Sequence, residues 1–300
     1  IAHACRRANL VRHIAAYIPR PETRERAKKA GFADSLHADI VPAVEGADLV
    51  ILCIPVGACG DVAQEIAPHL KHGAIVSDVG SVKGAVVKAM APYLPEDIHC
   101  VPAHPVAGTE NSGPDSGFAE LFINRWCILT PPEGTNAEAT EKLAAFWRAL
   151  GANVEIMTPD HHDLVLAVTS HLPHLIAYNI VGTADDFGEQ TRSEVIKFSA
   201  SGFRDFTRIA SSDPTMWRDI FIANKDAVLE MLGRFQEDLS GLTRAMRSGD
   251  GQALFDHFTR TRAIRRGIVQ TGQDIQDGGF ATTRMTNDAH KLAPLQAERH

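Results

Sequence analysis

Short apolar runs alternate with amphipathic segments over the first half of the chain. The runs 48–56 (DLVILCIPV) and 74–79 (AIVSDV) are almost continuously apolar, as expected of strands buried on both faces of a parallel sheet. The segments 60–70 and 81–93 space their apolar residues as amphipathic helices do. This alternation predicts βα units, with helices on both faces of a parallel sheet. Further strands are expected at 13–17, 98–103, 126–130 and 154–157.

The apolar pattern changes after Thr158, where the spacing becomes helical and no convincing strand follows up to residue 273. We therefore expect a domain boundary near Thr158. A dinucleotide-binding domain of Rossmann type is predicted at residues 1–158, and an all-helical domain at residues 159–277. Residues 278–300 are polar and predict a poorly ordered tail.

The composition narrows the function classes. Of 300 residues, 44% are hydrophobic and 22% charged, and the net charge of −7 comes without a dense Lys/Arg run, which argues against a nucleic-acid partner. The five cysteines are odd in number and lie in or beside apolar runs, so a reducing cytoplasm fits better than a disulfide framework. The apolar runs look too short to span a bilayer, so no membrane is expected.

The first residues predict that part of the cofactor site lies outside this sequence. Residues 1–11 (IAHACRRANLV) resemble the back half of a helix, with neither an initiator Met nor a signal peptide. A Rossmann-type sheet carries a Gly-x-Gly-x-x-Gly turn after its first strand, and this chain shows none. We expect that strand and glycine loop before Ile1; the alternative is a protein that never had them.

The second cofactor signal of such a sheet is an acidic residue at the end of the second strand, for the ribose hydroxyls. Here the sequence after the strand is Ile18-Pro19-Arg20, without an acid. Arg20 either meets the 2′-phosphate of NADP or is a solvated residue at the start of a helix.

One histidine stands between an apolar strand and a Gly-Thr-Glu loop in the segment 101–113 (VPAHPVAGTENSG). His104 precedes a proline, which favours an extended backbone, and ligands of α/β sheets bind beyond the carboxyl ends of the strands. An imidazole there suits acid, base or acceptor chemistry, although a histidine that only caps a strand has the same local sequence. Ser81 follows the strand at 74–79 and is either a helix N-cap or a hydroxyl donor beside His104.

The later histidines fall in two groups, 161–163 (HHD) and 170–174 (SHLPH). The cysteines lie elsewhere and no His-Glu-x-x-His spacing exists, so we expect no metal site. The remaining interpretations are a helix-start cap for Asp163 and a pocket histidine at position 174.

Arginines alternate with aromatic residues in the segment 201–208 (SGFRDFTR). A guanidinium binds a carboxylate at two points, which makes Arg208 a candidate for an acidic substrate. Arg204 is better explained by an ion pair with Asp205 at a helix turn.

Together these segments resemble the prephenate/arogenate dehydrogenase (TyrA, cyclohexadienyl dehydrogenase) family of tyrosine biosynthesis. The resemblance spans about residues 1–273 and implies a Rossmann-type domain followed by an all-helical dimerisation domain, hence a homodimer. It also implies oxidative decarboxylation of prephenate, arogenate or both, to 4-hydroxyphenylpyruvate or tyrosine, with hydride transfer to NAD or NADP. The matching segments are DVGSVKG (78–84), HPVAGTENSG (104–113), HHDLVLAVTSHLPH (161–174) and SGFRDFTRIASSDPTMWRDI (201–220).

The same resemblance implies residue roles. His104 is expected to accept the proton of the substrate's 4-hydroxyl, and Ser81 to hold that hydroxyl and the nicotinamide. Arg208 is expected to bind a substrate carboxylate. The other residues implied around the substrate are His174, Trp217, Thr109, Glu110 and Asp205. Those implied around the cofactor are Ile54, Pro55, Val56, Ser81 and Arg20.

Two other classes remain open from the sequence. One is a β-hydroxyacid-type dehydrogenase, which uses a lysine of its helical domain; Lys197 and Lys225 are the candidates, but neither lies in such a motif. The other is a non-catalytic dimeric scaffold, favoured by the missing glycine loop and opposed by His104, Ser81 and Arg208. The choices between prephenate and arogenate, and between NAD and NADP, also stay open.

Overall fold

The computed structural model describes residues 1–108, 113–186 and 201–276. The chain divides into two compact units, one ending at Leu232 and the other beginning at Gly233. The strands are β1 (Ala15–Tyr17), β2 (Ser35–His37), β3 (Leu49–Leu52), β4 (Ile75–Asp78), β5 (His99–Cys100), β6 (Ala103–Pro105), β7 (Trp126–Leu129) and β8 (Asn153–Ile156). The α-helices are α1 (Ala2–Ala8), α2 (Pro21–Ala30), α3 (Val41–Val44), α4 (Cys59–Ile66), α5 (Gly84–Met90), α6 (Ala137–Ala149), α7 (Pro159–Leu166), α8 (Leu172–Asp185), α9 (Ser201–Thr207), α10 (Pro214–Ala223), α11 (Lys225–Ser248) and α12 (Gly251–Gln276).

The strands form parallel pairs, as the apolar runs predict. β1 pairs with β2, and β3, β4 and β5 form a second parallel sheet in that order. A third sheet has the order β6-β7-β8, in which β7 and β8 are parallel. The α/β class with parallel strands is therefore confirmed, whereas the strand and glycine loop expected before Ile1 stay a prediction.

The pairing of β6 with β7 is antiparallel, which corrects the expectation of one strand over 98–103 in a wholly parallel sheet. The backbone N–H of Val101 still bonds to the carbonyl of Val76 at 2.9 Å, next to the parallel sheet. Pro102 has no N–H to donate, and its carbonyl instead accepts from the N–H of Thr130 at 2.9 Å. The proline thus ends one ladder, and the chain joins another just before His104.

Two apolar cores lie in the first compact unit. One surrounds α6 and the sheet β6-β7-β8, with the fully buried Trp147 at its centre. The other joins β3, β4, α4 and α5, and Trp217 and Ile220 of α10 pack into it. This packing places residues from the helical part of the sequence beside the carboxyl ends of β3 and β4. The predicted domain boundary near Thr158 is not decided by it and stays a prediction.

Helix α7 begins after Thr158, whose hydroxyl accepts from the N–H of His161 at 3.3 Å. A π-helical turn (Ala167–His171) joins α7 to α8, and the wider turn accommodates Pro173, which lacks an N–H for the regular ladder. By length and composition the run Pro159–Asp185 could cross a membrane, contrary to the expectation that every apolar run is too short. Its buried polar residues bond within the fold, as described below, so it is a core helix.

Candidate active site

His104 lies in the middle of β6 and is 8% exposed. Its Nδ1 is 2.9 Å from Nε2 of His162, a wholly buried residue of α7. Nδ1 of His162 in turn lies 2.8 Å from Oδ1 of Asp163. Two imidazoles and one carboxylate therefore form a single hydrogen-bonded chain that begins at the histidine singled out by the sequence.

Asp163 also caps a helix that is distant in sequence. Its Oδ1 accepts from the backbone N–H of Lys83, and its Oδ2 accepts from that of Gly84, both at 2.8 Å. The interpretation of Ser81 as the N-cap of this helix is thus wrong: α5 starts after Lys83, and its free N–H groups bond to the carboxylate of Asp163. A side chain at Gly84 would meet Asp163 Oδ2 at 3.0 Å, so a glycine permits this close approach.

The ammonium of Lys83 joins the carboxyl end of β4 to the start of β6, the two strands that flank the site. Its Nζ donates to Oδ2 of Asp78 at 2.5 Å and to the carbonyl of Ala103 at 2.7 Å. Burial lowers the pKa of Lys83, while the charge of Asp78 raises it. Because both side chains are buried, removal of either leaves an unpaired charge away from water, which is strongly destabilising.

The electrostatic surroundings keep His104 neutral. Burial holds the pKa of His104 well below its ordinary value, and the positive charge of Lys83 acts in the same direction, as would protonation of His162 or His171. A neutral imidazole keeps a lone pair on one nitrogen, so His104 can accept a hydrogen bond or a proton.

His171 is also wholly buried, and burial lowers its pKa to about 4, against a smaller raising effect of Asp163. Its Nδ1 is 3.0 Å from Nδ2 of Asn224, and the same amide nitrogen donates to the carbonyl of Asp163 at 2.8 Å. Asn224 therefore orients His171 and links it to the end of the His104 chain.

A second group surrounds His174 of α8. Its Nδ1 donates to the carbonyl of Ser170 at 2.8 Å, and its ring stacks on Trp217 with centroids 3.6 Å apart and planes 22° from parallel. Burial lowers the pKa of His174, and the nearby charge of Arg208 lowers it further. The structure thus brings together His174, Trp217 and Arg208, three residues that the family resemblance implies around the substrate.

The other residues expected around the substrate are either exposed or outside the described part of the chain. Asp205 is exposed on α9, and Arg208 is exposed at the start of the 3₁₀ turn Arg208–Ser211 that follows this helix. Thr109 and Glu110 lie outside the described residues.

The cofactor candidates lie at the carboxyl ends of β1, β3 and β4. Ile54 is half-buried and Pro55 exposed, while Val56 is buried in the core. A Cβ at Gly80 would meet Val56 Cγ2 and Asp78 Oδ2 at 2.9 Å each, so this glycine lets the ends of β3 and β4 pack closely. Arg20, exposed at the N-cap of α2, follows β1. The apolar residues at the end of β3 suit the flat nicotinamide ring of a dinucleotide, and the guanidinium of Arg20 suits its anionic phosphates.

Sequence reasoning missed His162, Lys83 and Asn224 as parts of this site. His162 and Leu166, four residues apart, share the buried face of α7, a spacing that marks a histidine turned inward. No comparable signal identifies Asn224. Within the described ranges, no group of three His, Cys, Asp or Glu side chains is arranged to hold a metal ion.

A parallel α/β sheet with a buried histidine beside the carboxyl end of β4, followed by a run of helices, is typical of a nucleotide-binding oxidoreductase. Residues 1–156 match the model of the prephenate dehydrogenase nucleotide-binding domain, and residues 158–260 match that of its dimerization domain. The chain belongs to the prephenate dehydrogenase family.

Individual relatives agree with this assignment. The chain is 45% identical to the cyclohexadienyl dehydrogenase of Zymomonas mobilis, over 84% of this chain and 86% of that one. It is similar to the crystal structure of Aquifex aeolicus prephenate dehydrogenase in complex with hydroxyphenyl propionate and NAD+, with a TM-score of 0.82, 32% identity and coverage of 89% and 93% of the two chains. Synechocystis arogenate dehydrogenase gives a TM-score of 0.76 at 26% identity, over 89% and 94%.

These comparisons confirm the family inferred from the four sequence segments, and with it an oxidoreductase of tyrosine biosynthesis. The β-hydroxyacid and scaffold alternatives lose their support. The roles of individual site residues are not tested by the comparisons and stay proposals.

Proposed function

We propose that the chain catalyses the oxidative decarboxylation of prephenate and arogenate with NAD as hydride acceptor. The observation that carries the proposal is His104: a buried imidazole of β6, held neutral by its surroundings and hydrogen-bonded through Nδ1, which lies beside the carboxyl end of β4 because Lys83 bonds to both Asp78 and the carbonyl of Ala103. The named relatives include a cyclohexadienyl, a prephenate and an arogenate dehydrogenase, which supports both substrates.

When bound, NAD supplies the acceptor for the hydride that leaves the hydroxyl-bearing ring carbon. His104 accepts a hydrogen bond from the 4-hydroxyl and takes its proton as the hydride leaves. The carbon–carbon bond to the ring carboxylate then breaks, its electron pair enters the ring, carbon dioxide leaves, and His104 returns the proton to the phenolic oxygen. Aromatisation drives this step, so the protein mainly aligns the hydroxyl and stabilises the developing charge.

Arg208 binds a carboxylate of the substrate in this proposal, with His174 and Trp217 lining the pocket and Thr109, Glu110 and Asp205 at its mouth. Ser81 lies between the strand end of β4 and α5, where its hydroxyl serves both the substrate hydroxyl and the nicotinamide. The helical region at 159–277 forms a homodimer in the cytoplasm, after a nucleotide-binding domain at 1–158 and before a tail at 278–300.

The cofactor assignment has one open alternative on this chain. The strand-end residues Ile54, Pro55 and Val56 suit NAD and NADP equally, whereas Arg20 adds a cation where the 2′-phosphate of NADP lies in sheets of this type. The A. aeolicus relative, whose structure holds NAD+, supports NAD.

The test is near-ultraviolet absorbance of reduced nicotinamide, with the full-length protein offered prephenate or arogenate and NAD or NADP in all four pairs. Turnover with NAD and both substrates is expected. A folded dimer that turns over none of the four pairs overturns the proposal. In the Arg20→Ala variant, loss of NADP use with unchanged NAD use assigns Arg20 to the 2′-phosphate.

A further inference from the structure

We propose that His162 is a positioning residue that fixes the tautomer of His104, so that Nδ1 of His104 carries the proton and Nε2 is left as the base. This inference rests on the proposed role of His104 as the proton acceptor. His162 itself does not reach the reacting atoms in the proposal; it acts through His104.

The argument starts at the carboxylate of Asp163. Three donors face it: the backbone N–H groups of Lys83 and Gly84, and Nδ1 of His162. A carboxylate held by two backbone N–H groups is an acceptor, so Nδ1 of His162 must carry the hydrogen in this contact. The capping of α5 by Asp163 therefore determines which nitrogen of His162 is protonated.

The next step passes from His162 to His104. In a neutral imidazole one nitrogen donates and the other accepts, so His162 with a hydrogen on Nδ1 presents a lone pair at Nε2. The 2.9 Å contact then requires His104 to donate from its own Nδ1. By the same rule the second nitrogen of His104, Nε2, holds the lone pair that the 4-hydroxyl proton needs.

The charged and titratable groups that face the hydrogen-bonded residues His104 and His162 come from four parts of the fold. Asp78 ends β4, and Lys83 is the residue before α5, where its ammonium bonds to the carboxylate of Asp78. Asp163 lies on α7 next to His162, and His171 lies in the π-helical turn that follows. The row of hydrogen bonds from His104 through His162 ends on the carboxylate of Asp163. The imidazolium that forms when His104 takes a proton is therefore stabilised through His162, as a carboxylate stabilises the histidine of a hydrolase triad.

The first experiment reads the tautomer directly and does not depend on turnover. Nitrogen-15 NMR of histidine-labelled full-length protein at about pH 8, above the ordinary imidazole pKa, is compared with the spectrum of His104→Asn to assign the His104 signals. A proton on Nδ1 of His104 is expected. A proton on Nε2 overturns the inference even if the enzyme turns over as proposed.

The second experiment distinguishes a positioning role of His162 from a structural one. It compares two amide side chains of different length at this position. The amide of His162→Gln extends far enough for its oxygen to accept from Nδ1 of His104, whereas the shorter amide of His162→Asn reaches only Asp163. His162→Asn is expected to lower kcat by about 10- to 100-fold, the range for partners that orient a histidine, with KM nearly unchanged. His162→Gln should retain most of the wild-type kcat and the Nδ1–H signal.

The neighbouring His161 supplies a matched control, because it is exposed whereas His162 is wholly buried. His161→Asn should equal the wild type. A primary deuterium isotope effect on kcat, from substrate labelled at the hydride-bearing carbon, should rise in His162→Asn as the chemical step slows.

The outcomes are distinct. Wild-type kcat in His162→Asn, or equal loss in both variants with a raised KM, overturns the positioning role. If His162→Asn does not fold, His162→Gln decides: loss of its kcat or of the Nδ1–H signal overturns the inference. An inactive wild-type protein with His104 protonated on Nδ1 contradicts the proposed function and leaves the tautomer assignment standing.

Discussion

Two histidines of the candidate site show how differently one fold can surround the same side chain. His104 is 8% exposed and is held by a chain of hydrogen bonds to His162 and Asp163. His174 is half-buried, stacks on Trp217 and lies near a guanidinium. Burial lowers the pKa of both rings, but only the first is tied to a carboxylate that stabilises an added proton. The difference matches the proposed function, in which the first environment transfers a proton and the second binds substrate.

The neighbouring charges differ in the same sense. Around His104 the charges are paired and buried, since Lys83 bonds to Asp78 and Asp163 caps α5. Near His174 the guanidinium of Arg208 is exposed, where an incoming anion meets it with little desolvation of the protein. A buried, fully bonded group favours precise geometry, and an exposed cation favours capture of a charged ligand.

The largest expected effect comes from replacing the base. His104→Asn should lower kcat by about 10²- to 10⁴-fold, as is typical when an acid/base group is lost, and should leave KM nearly unchanged. Steady-state rates with both substrates measure this effect. His99→Asn, a half-buried histidine on the neighbouring strand β5, is the matched control and should keep the wild-type rate. An unaltered kcat in His104→Asn removes His104 from the chemistry.

The sequence predicted those parts of the site that have local signals. Apolar runs of strand length predict the parallel sheet, and His104 is identified by its place before a proline, between an apolar strand and a Gly-Thr-Glu loop. The contact of His104 with His162 joins residues 58 apart, and that of Asp163 with the N–H of Lys83 joins residues 80 apart. Neither contact leaves a periodic pattern in the chain, because it depends on how α7 packs against α5 and β6.

The change of sheet at Pro102 is a different case. A proline inside an apolar run removes one ladder hydrogen bond, and this signal was present in the sequence. The apolar pattern of 98–103 predicts one strand, and only the proline within it indicates that the ladder ends there. The cap of α5 shows the limit of local signals: a nearby hydroxyl such as Ser81 is the usual cap, whereas the carboxylate of Asp163, which comes from a distant helix, leaves no mark in the sequence.

Acidification should destabilise the fold through its buried histidines. The pKa of His171 falls from an ordinary 6.5 to about 4 in the folded protein, so below about pH 6.5 the unfolded chain binds more protons than the folded one. The contribution of His171 to the free energy of unfolding is therefore complete above about pH 6.5. It is lost progressively as the pH falls toward 4, and the loss amounts to about 3 kcal/mol. His104 adds to the decline in the same direction.

Urea unfolding at several pH values between about 7.5 and 4.5 measures this loss. His171→Asn is the reference, because an amide at this position does not titrate and its stability should fall less over the same interval. Equal pH dependence in the two proteins contradicts a neutral, buried His171.

The smallest expected effect is on the binding side of the comparison. Arg208→Gln should raise KM by about 10- to 100-fold and change kcat little, because a hydrogen-bonded charge contributes about 1.5–3 kcal/mol to binding an anion. Arg208→Lys should recover only part of the loss, since an ammonium keeps the charge without the two-point geometry of a guanidinium. Arg204→Gln, an exposed arginine on α9, is the control and should keep the wild-type KM.

Added salt should raise KM in the wild type more than in Arg208→Gln, because exposed charges are screened. If KM stays unchanged in Arg208→Gln, the carboxylate is held elsewhere, and the His174 environment loses the cation that distinguishes it from the His104 chain.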